Sequence, residues 1–172
     1  RLTALMHKAI AIIQFKTEAA IIEKHPEWKM KERELFKAID YEKGTIILDG
    51  KEYKLKSNNF PTINPKRPNE LTPEEKILMG KLHHSFMVSE KLHKHIKLLL
   101  SHGCMYAIFN NNLLFHASVP LNEDGSLKEV ELYEGKKYSG RELMQNTGML
   151  IRSAFQSDSD SHERDYAIDY FL

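Results

Sequence analysis

Nine histidines are the main groups through which this 172-residue chain could do chemistry. Helical zinc sites favour two histidines four apart, with a third donor close by. His83, His84, His93 and His95 share one helical segment without that spacing. His84 and His95, eleven apart, fall roughly on one face, but no cysteine or carboxylate completes a set. A solvated helix face accounts for these four, and helix-surface positions account for His7 and His25. Ser85, Ser89 and Ser118 have histidines nearby, yet no surrounding motif marks any of them as an activated nucleophile. His116 is different. It ends the run Asn112-Leu-Leu-Phe-His116 and is followed by the small residues Ala117 and Ser118, then Val119-Pro120. A histidine at the end of a strand, with small residues that let backbone or ligand approach, is placed to coordinate a metal. On this stretch alone a core histidine bonded to a neighbouring carbonyl is the commoner reading, and one histidine makes no site by itself.

The elements that position His116 follow from the pattern around it. Met105–Phe109 and Leu113–Phe115 are short apolar runs on either side of Asn110-Asn111-Asn112, residues that tolerate left-handed backbone angles, so the stretch reads as a hairpin. Leu113–Phe115 is apolar at consecutive positions, which predicts a strand covered on both faces. Before it, Leu2 to Lys24 reads as one helix with an apolar arc wide enough to be buried on more than one side, ended by His25-Pro26. Met30 to Ile39 predicts a shorter helix with Leu35, Phe36 and Ile39 inward. Asp49-Gly50 between two β-prone runs predicts a two-residue hairpin over 45–55. Residues 57–72, with three prolines, form an extended connection. Thr72-Pro73-Glu74-Glu75 starts a helix that runs to about Ser101, ended by Gly103 in a left-handed cap. After the His116 region come a turn at Leu121–Gly125, a half-exposed strand at Glu129–Tyr133 and a return through Glu134-Gly135. Ser139-Gly-Arg-Glu142 matches a capping box. The helix it opens runs to about Phe155, with Leu143, Thr147, Leu150, Ile151 and Ala154 inward. Gln156 to Asp165 reads as a solvated linker, and Tyr166 to Leu172 is apolar.

Composition narrows the function classes. Lys and Arg number 25 against 24 Asp and Glu, which leaves no field to draw in nucleic acid. No apolar run approaches the ~20 residues that span a bilayer. A single cysteine, Cys104, leans the chain towards a reducing, cytoplasmic setting. No phosphate-cradling Gly-Lys-Ser/Thr loop, dinucleotide glycine fingerprint or Gly-x-Ser-x-Gly elbow occurs. The opening on Arg1, directly into a helix, and the abrupt stop after an apolar segment suggest a piece cut from a longer polypeptide. Leu5, Ile12, Tyr166 and Phe171 are then expected to be more exposed than their types favour, or covered by a second copy, which leaves a homo-oligomer open.

A longer set of segments carries a resemblance. His7-Lys-Ala-Ile-Ala-Ile-Ile-Gln-Phe-Lys16, Ile39-Asp-Tyr-Glu-Lys43, Leu48-Asp-Gly-Lys51 and Ser89-Glu-Lys-Leu92 belong to it. So do Asn112-Leu-Leu-Phe-His116, Val119-Pro-Leu-Asn-Glu-Asp-Gly125 and Ser139-Gly-Arg-Glu-Leu143. In order, they resemble the middle of a class III fructose-1,6-bisphosphatase, a bacterial type built on the calcineurin-like metallophosphoesterase fold. The resemblance implies two divalent metals, commonly manganese, at the carboxyl ends of β-sandwich strands, acting on a phosphate monoester. His116 matches one of the family's metal-binding histidines. The other ligand motifs, of the forms Gly-Asp-x-x-Asp-Arg, Gly-Asn-His and Gly-His-Thr, are not in these residues. The chain also has Ala117 where the wider metallophosphatases place glycine.

The expected fold is therefore α+β: part of a metallophosphoesterase β-sandwich with long covering or inserted helices and small β-hairpins. Residues 1–101 would form a helical region with the inserted hairpin and the proline-rich connection. Residues 102–172 would supply sheet-forming hairpins and C-terminal helices to the phosphoesterase core. The expected function is that of one part of a gluconeogenic sugar-bisphosphate phosphatase, inactive alone, with His116 as its metal ligand and no catalytic residue assigned. A non-catalytic helical interaction or regulatory module, or a metallophosphoesterase with another substrate, stands as the alternative.

Overall fold

The computed structural model describes residues 2–115, 118–156 and 161–171. It divides into two compact units, Arg1–Val88 and Ser89–Leu172. Both mix helices with small antiparallel sheets, and no helix among the described residues is long and apolar enough to cross a membrane.

In the first unit, helix α1 spans Leu2–Lys24 as its periodicity predicts. Its second half buries Ile12, Ile13, Lys16, Ala19 and Ile22, while Leu2, Leu5, Met6 and Ile10 at its start are exposed. Leu5 is thus exposed as expected, but Ile12 belongs to the core. Proline after His25 ends the helix in a short 3-10 turn, Pro26–Trp28. There His25 is not a surface residue: it is buried, stacked on Trp28 at 4.1 Å, and its Nδ1 lies 2.8 Å from Glu27.

The helix expected over Met30–Ile39 is replaced by two 3-10 turns, Lys31–Arg33 and Leu35–Ala38, and the short strand β1, Ile39–Asp40. Ten residues of helix are marginal without tertiary support, and here the non-local contacts pull elsewhere. Phe36 enters a core cluster with Ile12 and Ile63, Glu34 is buried against Asn69, and Ile39 pairs with Ile46 of β2, Thr45–Leu48. β2 then pairs with β3, Lys51–Lys54, through Asp49 (φ 49) and Gly50 (φ 74), the two left-handed residues the Asp-Gly signal demands. Tyr41 closes this core. Its hydroxyl donates to the Phe36 carbonyl at 2.9 Å, and burial pushes its pKa up to about 12. Helix α2 spans Pro73–Met87 with Thr72 as cap: Thr72 Oγ1 accepts the Glu75 N–H, and the Glu75 carboxylate accepts the Thr72 N–H in return.

The long helix expected to continue to Ser101 stops at Met87. Ser89 turns out of the helix and caps a new one, α3 (Glu90–His102), its hydroxyl accepting the Leu92 N–H at 3.3 Å. Serine competes with helix continuation because its side chain offers the backbone this alternative bond. Gly103 is not a left-handed cap either: its backbone is extended (φ −75), and its N–H closes the helix on the Leu99 carbonyl.

The second unit continues with β4 (Tyr106–Phe109), β5 (Asn112–Phe115), β6 (Val130–Tyr133) and β7 (Lys136–Tyr138), then α4 (Gly140–Gln156) and α5 (His162–Phe171). Its core is Leu132, Leu143, Leu150, Ala154 and Ala167, with Phe171 packed at the side. Leu143, Thr147, Leu150 and Ala154 face inward as expected, with Ile151 half-buried. Tyr166, expected to be exposed or covered by a second copy, is buried within the unit, packed edge-on to Tyr133 at 5.0 Å. The expected linker is in part helix, since α5 already starts at His162; residues 157–160 lie outside the described residues.

Gly140 enters α4 at φ +48, and a Cβ there would meet Leu127 Cδ1 at 2.8 Å. Gly140→Ala is therefore expected to destabilise the second unit by about 1–3 kcal/mol, from left-handed strain plus a side-chain collision. Urea unfolding followed by exchange of α4 amides checks this; an unchanged midpoint would contradict it.

Candidate functional site

The sequence places one candidate, His116, and it lies with Ala117 outside the described residues. The hairpin leading to it is described. Asn110 (φ 49) and Asn111 (φ 60) form a two-residue turn, so Asn112 is not in the loop but is the first residue of β5, opposite Phe109. The register then pairs Ile108 with Leu113, Ala107 with Leu114, and Tyr106 with Phe115.

Both faces of β5 and of the turn end of β4 are open, while Tyr106 and Ala107 are half-buried; this is contrary to the expectation of a strand covered on both sides. Ile108 is 65% exposed, Phe109 68%, Leu113 53%, Leu114 55% and Phe115 43%. The other two hairpins with two-residue turns among the described residues make the contrast plain. All three close through pairs of left-handed residues, the third being Glu134-Gly135. β2–β3 carries Lys51, Glu52 and Lys54, and β6–β7 carries Glu131, Lys136 and Lys137, as exposed strands do. β4–β5 carries no charge in eight strand residues. Its composition suits an interior position that nothing among the described residues of the second unit provides.

One anchor holds β4 to its own unit. Arg141 Nε donates to the Tyr106 hydroxyl at 2.7 Å, Gln145 Nε2 lies 3.2 Å from the same oxygen, and the guanidinium stands over the ring at 5.9 Å. Arg141 and Gln145 are four apart and so share one face of α4.

The remaining candidates do not converge. His83 and His84 on α2, and His93 and His95 on α3, are exposed, and the break at Val88–Ser89 removes the common helix on which His84 and His95 would have shared a face. Ser101 Oγ lies 2.7 Å from His102 Nδ1, but both are exposed. Cys104 is a free, exposed thiol. Among the described residues no group of three or more His, Cys, Asp or Glu could hold a metal ion.

Two charged arrangements escaped the sequence reading. Lys16 is fully buried, and its ammonium lies 2.8 Å from Glu75 Oε2 and 2.6 Å from the Thr62 carbonyl. Burial would raise the Glu75 pKa, but the Lys16 ammonium and the Thr72 amide outweigh it and hold the carboxyl below its ordinary value. Lys16 recurs on the stripe of Ile12 and Ala19, and a lysine in that phase is the signal that a partner must be sought. Nearby, Lys37 bridges Glu23 and Glu34, and Asn69 donates to both carboxylates at 3.0 Å. The first fastens α1 to the connection and to α2, and the second fastens α1 to the 3-10 turns and to the connection; neither presents an open reactive group.

Compared with known proteins, residues 1–172 match a family model described as Firmicute fructose-1,6-bisphosphatase. The chain belongs to that family. It is 52% identical over 171 residues to the class 3 fructose-1,6-bisphosphatase of Phocaeicola vulgatus, covering 99% of this chain and 26% of that protein. To the proteins of the same name from Bacteroides thetaiotaomicron and Clostridium botulinum it is 51% and 49% identical, covering 26% and 25% of them. The chain thus spans about a quarter of the length of the curated relatives it matches. No solved structure matches it. For this member of the fructose-1,6-bisphosphatase family, the described residues do not themselves make up a metal site, and no catalytic step through a metal follows from them.

Proposed function

We propose that the chain is one part of a fructose-1,6-bisphosphatase, an enzyme that releases the 1-phosphate of fructose 1,6-bisphosphate by hydrolysis, in gluconeogenesis. The observation that carries this is a match along the whole chain, with about half of all positions identical, to proteins of that name. The architecture in this proposal is a metallophosphoesterase sandwich, with β4–β5 as interior strands; the charge-free composition of the hairpin supports that placement. His116, following β5, would bring one imidazole to a divalent metal, manganese by the resemblance, with the remaining ligands supplied from elsewhere in the polypeptide. A cytoplasmic setting suits a chain with one exposed, unbridged cysteine.

The test is phosphate release by the longer polypeptide carrying these residues, assayed on fructose 1,6-bisphosphate and on a generic aryl phosphate. Fructose 6-phosphate as product supports the proposal. Turnover of the aryl ester alone would assign a metallophosphoesterase of another substrate, and no turnover of either would leave the interaction module.

A further inference from the structure

We propose that the groove between α3 and the end of α4 docks an acidic peptide segment of another protein, one that carries a large apolar side chain among its carboxylates. The groove lies within the second unit, and the proposal does not depend on the phosphatase reading above.

The inference begins with the charge of α3. In a chain with 25 Lys and Arg against 24 Asp and Glu, this helix carries Lys91, Lys94, Lys97, His93, His95 and His102 against a single acid, Glu90. None of its residues is buried. Leu92, Ile96 and Leu100, at intervals of four, are half-buried and form its inward stripe. Lys94, Lys97, Leu98 and Ser101 follow the i, i+3, i+4, i+7 pattern of another face, and all four are exposed. Leu98 is 59% exposed. Glu90 precedes Lys94 by four residues, a spacing that favours a pair. Yet neither Lys94 nor Lys97 has an ion pair among the described residues.

That face is one wall of a groove of about 710 Å³, completed by Leu100 and, from α4, by Phe155 and Gln156. Its two helices are tied together. Arg152 Nη1 of α4 donates to the Gly103 carbonyl at the end of α3 at 3.3 Å. Beside Phe155, Arg164 Nε donates to the Ala154 carbonyl at 3.2 Å. The lining thus combines three apolar side chains, Leu98, Leu100 and Phe155, with two unpaired ammonium groups. Complementary charge requires carboxylates opposite Lys94 and Lys97 and excludes a basic partner. A concave, partly apolar lining takes an inserted side chain, whereas a flat lipid surface would meet only its edges. An acidic segment with one leucine or phenylalanine supplies both parts, as in peptide recognition by grooves.

The experiment uses the 15N-labelled 172-residue chain and a synthetic peptide in which glutamates surround a Leu-Phe pair, with a control peptide carrying lysines for the glutamates. The acidic peptide is expected to bind with a dissociation constant on the order of 10–100 μM at ~0.1 M salt and about tenfold more weakly at ~0.5 M. Amide shifts should be confined to residues 94–101 and the end of α4. Lys94→Glu combined with Lys97→Glu should weaken binding at least ~10-fold, because like charges then face each other. Leu98→Ser should weaken it about fivefold. Lys137→Glu, the same charge change on an exposed residue of β7 outside the groove, should leave it unchanged. No shift at ~1 mM peptide, equal binding of the control peptide, or shifts away from α3 and α4 would overturn the proposal without any variant. So would binding to phosphatidylserine vesicles that the peptide does not displace, which assigns the face to lipid. A longer polypeptide that contains these residues and does not bind the peptide would show the groove filled by its own chain, and would overturn it as well.

Discussion

His116→Ala, made in the longer polypeptide, is expected to lower phosphate release from fructose 1,6-bisphosphate by at least ~100-fold, the scale on which a major electrostatic contributor is lost. Bound metal should fall with it, because removing one ligand of a shared site weakens the metal before it affects the fold. Thermal unfolding should change little. Measuring turnover, metal content and melting on the same preparation separates the roles. Unchanged activity with unchanged metal would return His116 to the ordinary core histidine its position also allows.

Lys16→Met is expected to cost the first unit about 3–5 kcal/mol, because it leaves the Glu75 carboxylate buried without its counter-charge. Glu75 is 7% exposed, and its second role, accepting the Thr72 N–H, keeps it from turning outward. Adding Glu75→Gln should recover about half of the loss, since an amide oxygen still closes the capping box without a buried charge. The pH dependence has a definite sign. In the unsubstituted chain the Glu75 pKa is lowered, so its stabilisation is complete above the ordinary value of 4.5 and is lost as pH falls through the lowered one. In Lys16→Met the ammonium no longer opposes burial and only the hydrogen bonds from Thr72 and Thr62 do, so the Glu75 pKa rises from its value in the unsubstituted chain and the penalty should shrink as pH is taken from 7 towards 4. Trp28 is the chain's one tryptophan and lies in this unit, so its fluorescence in urea reports the unfolding. A penalty below 1 kcal/mol, or one that grows towards acid pH, would show that the pair is not the fastening described.

What the sequence made legible was local chemistry that agreed with its flanking pattern. Asp49-Gly50 and the asparagine turn closed hairpins because few other residue pairs accept two successive left-handed conformations. Thr72-Pro73-Glu74-Glu75 started a helix because cap, proline and acids all favour the same end. The failures were contests that local pattern could not settle. Leu35, Phe36 and Ile39 fit a helical stripe, yet Ile39 pairs with Ile46 and Glu34 is drawn to a partner 35 residues away. Ser89 falls inside the one long helix expected to run to about Ser101, but its hydroxyl caps a second. Lys16 finds Glu75 across 59 residues, a distance no periodicity spans. Leu113–Phe115 was read as a covered strand, and in this chain its apolar residues stand open. That mismatch between composition and surroundings is itself the structural argument for a larger sheet.

The central claim is that these residues form one part of a fructose-1,6-bisphosphatase and lack the rest of its metal site. A paired assay tests it most directly: phosphate release from fructose 1,6-bisphosphate with manganese, by the 172-residue chain and by the longer polypeptide that contains it. The expected result is turnover by the longer polypeptide, abolished by a chelator, and none by the chain alone, whose metal binding stays weak because one imidazole cannot hold manganese against water. Turnover by the 172-residue chain with micromolar metal affinity, or none by the longer polypeptide, would contradict the account.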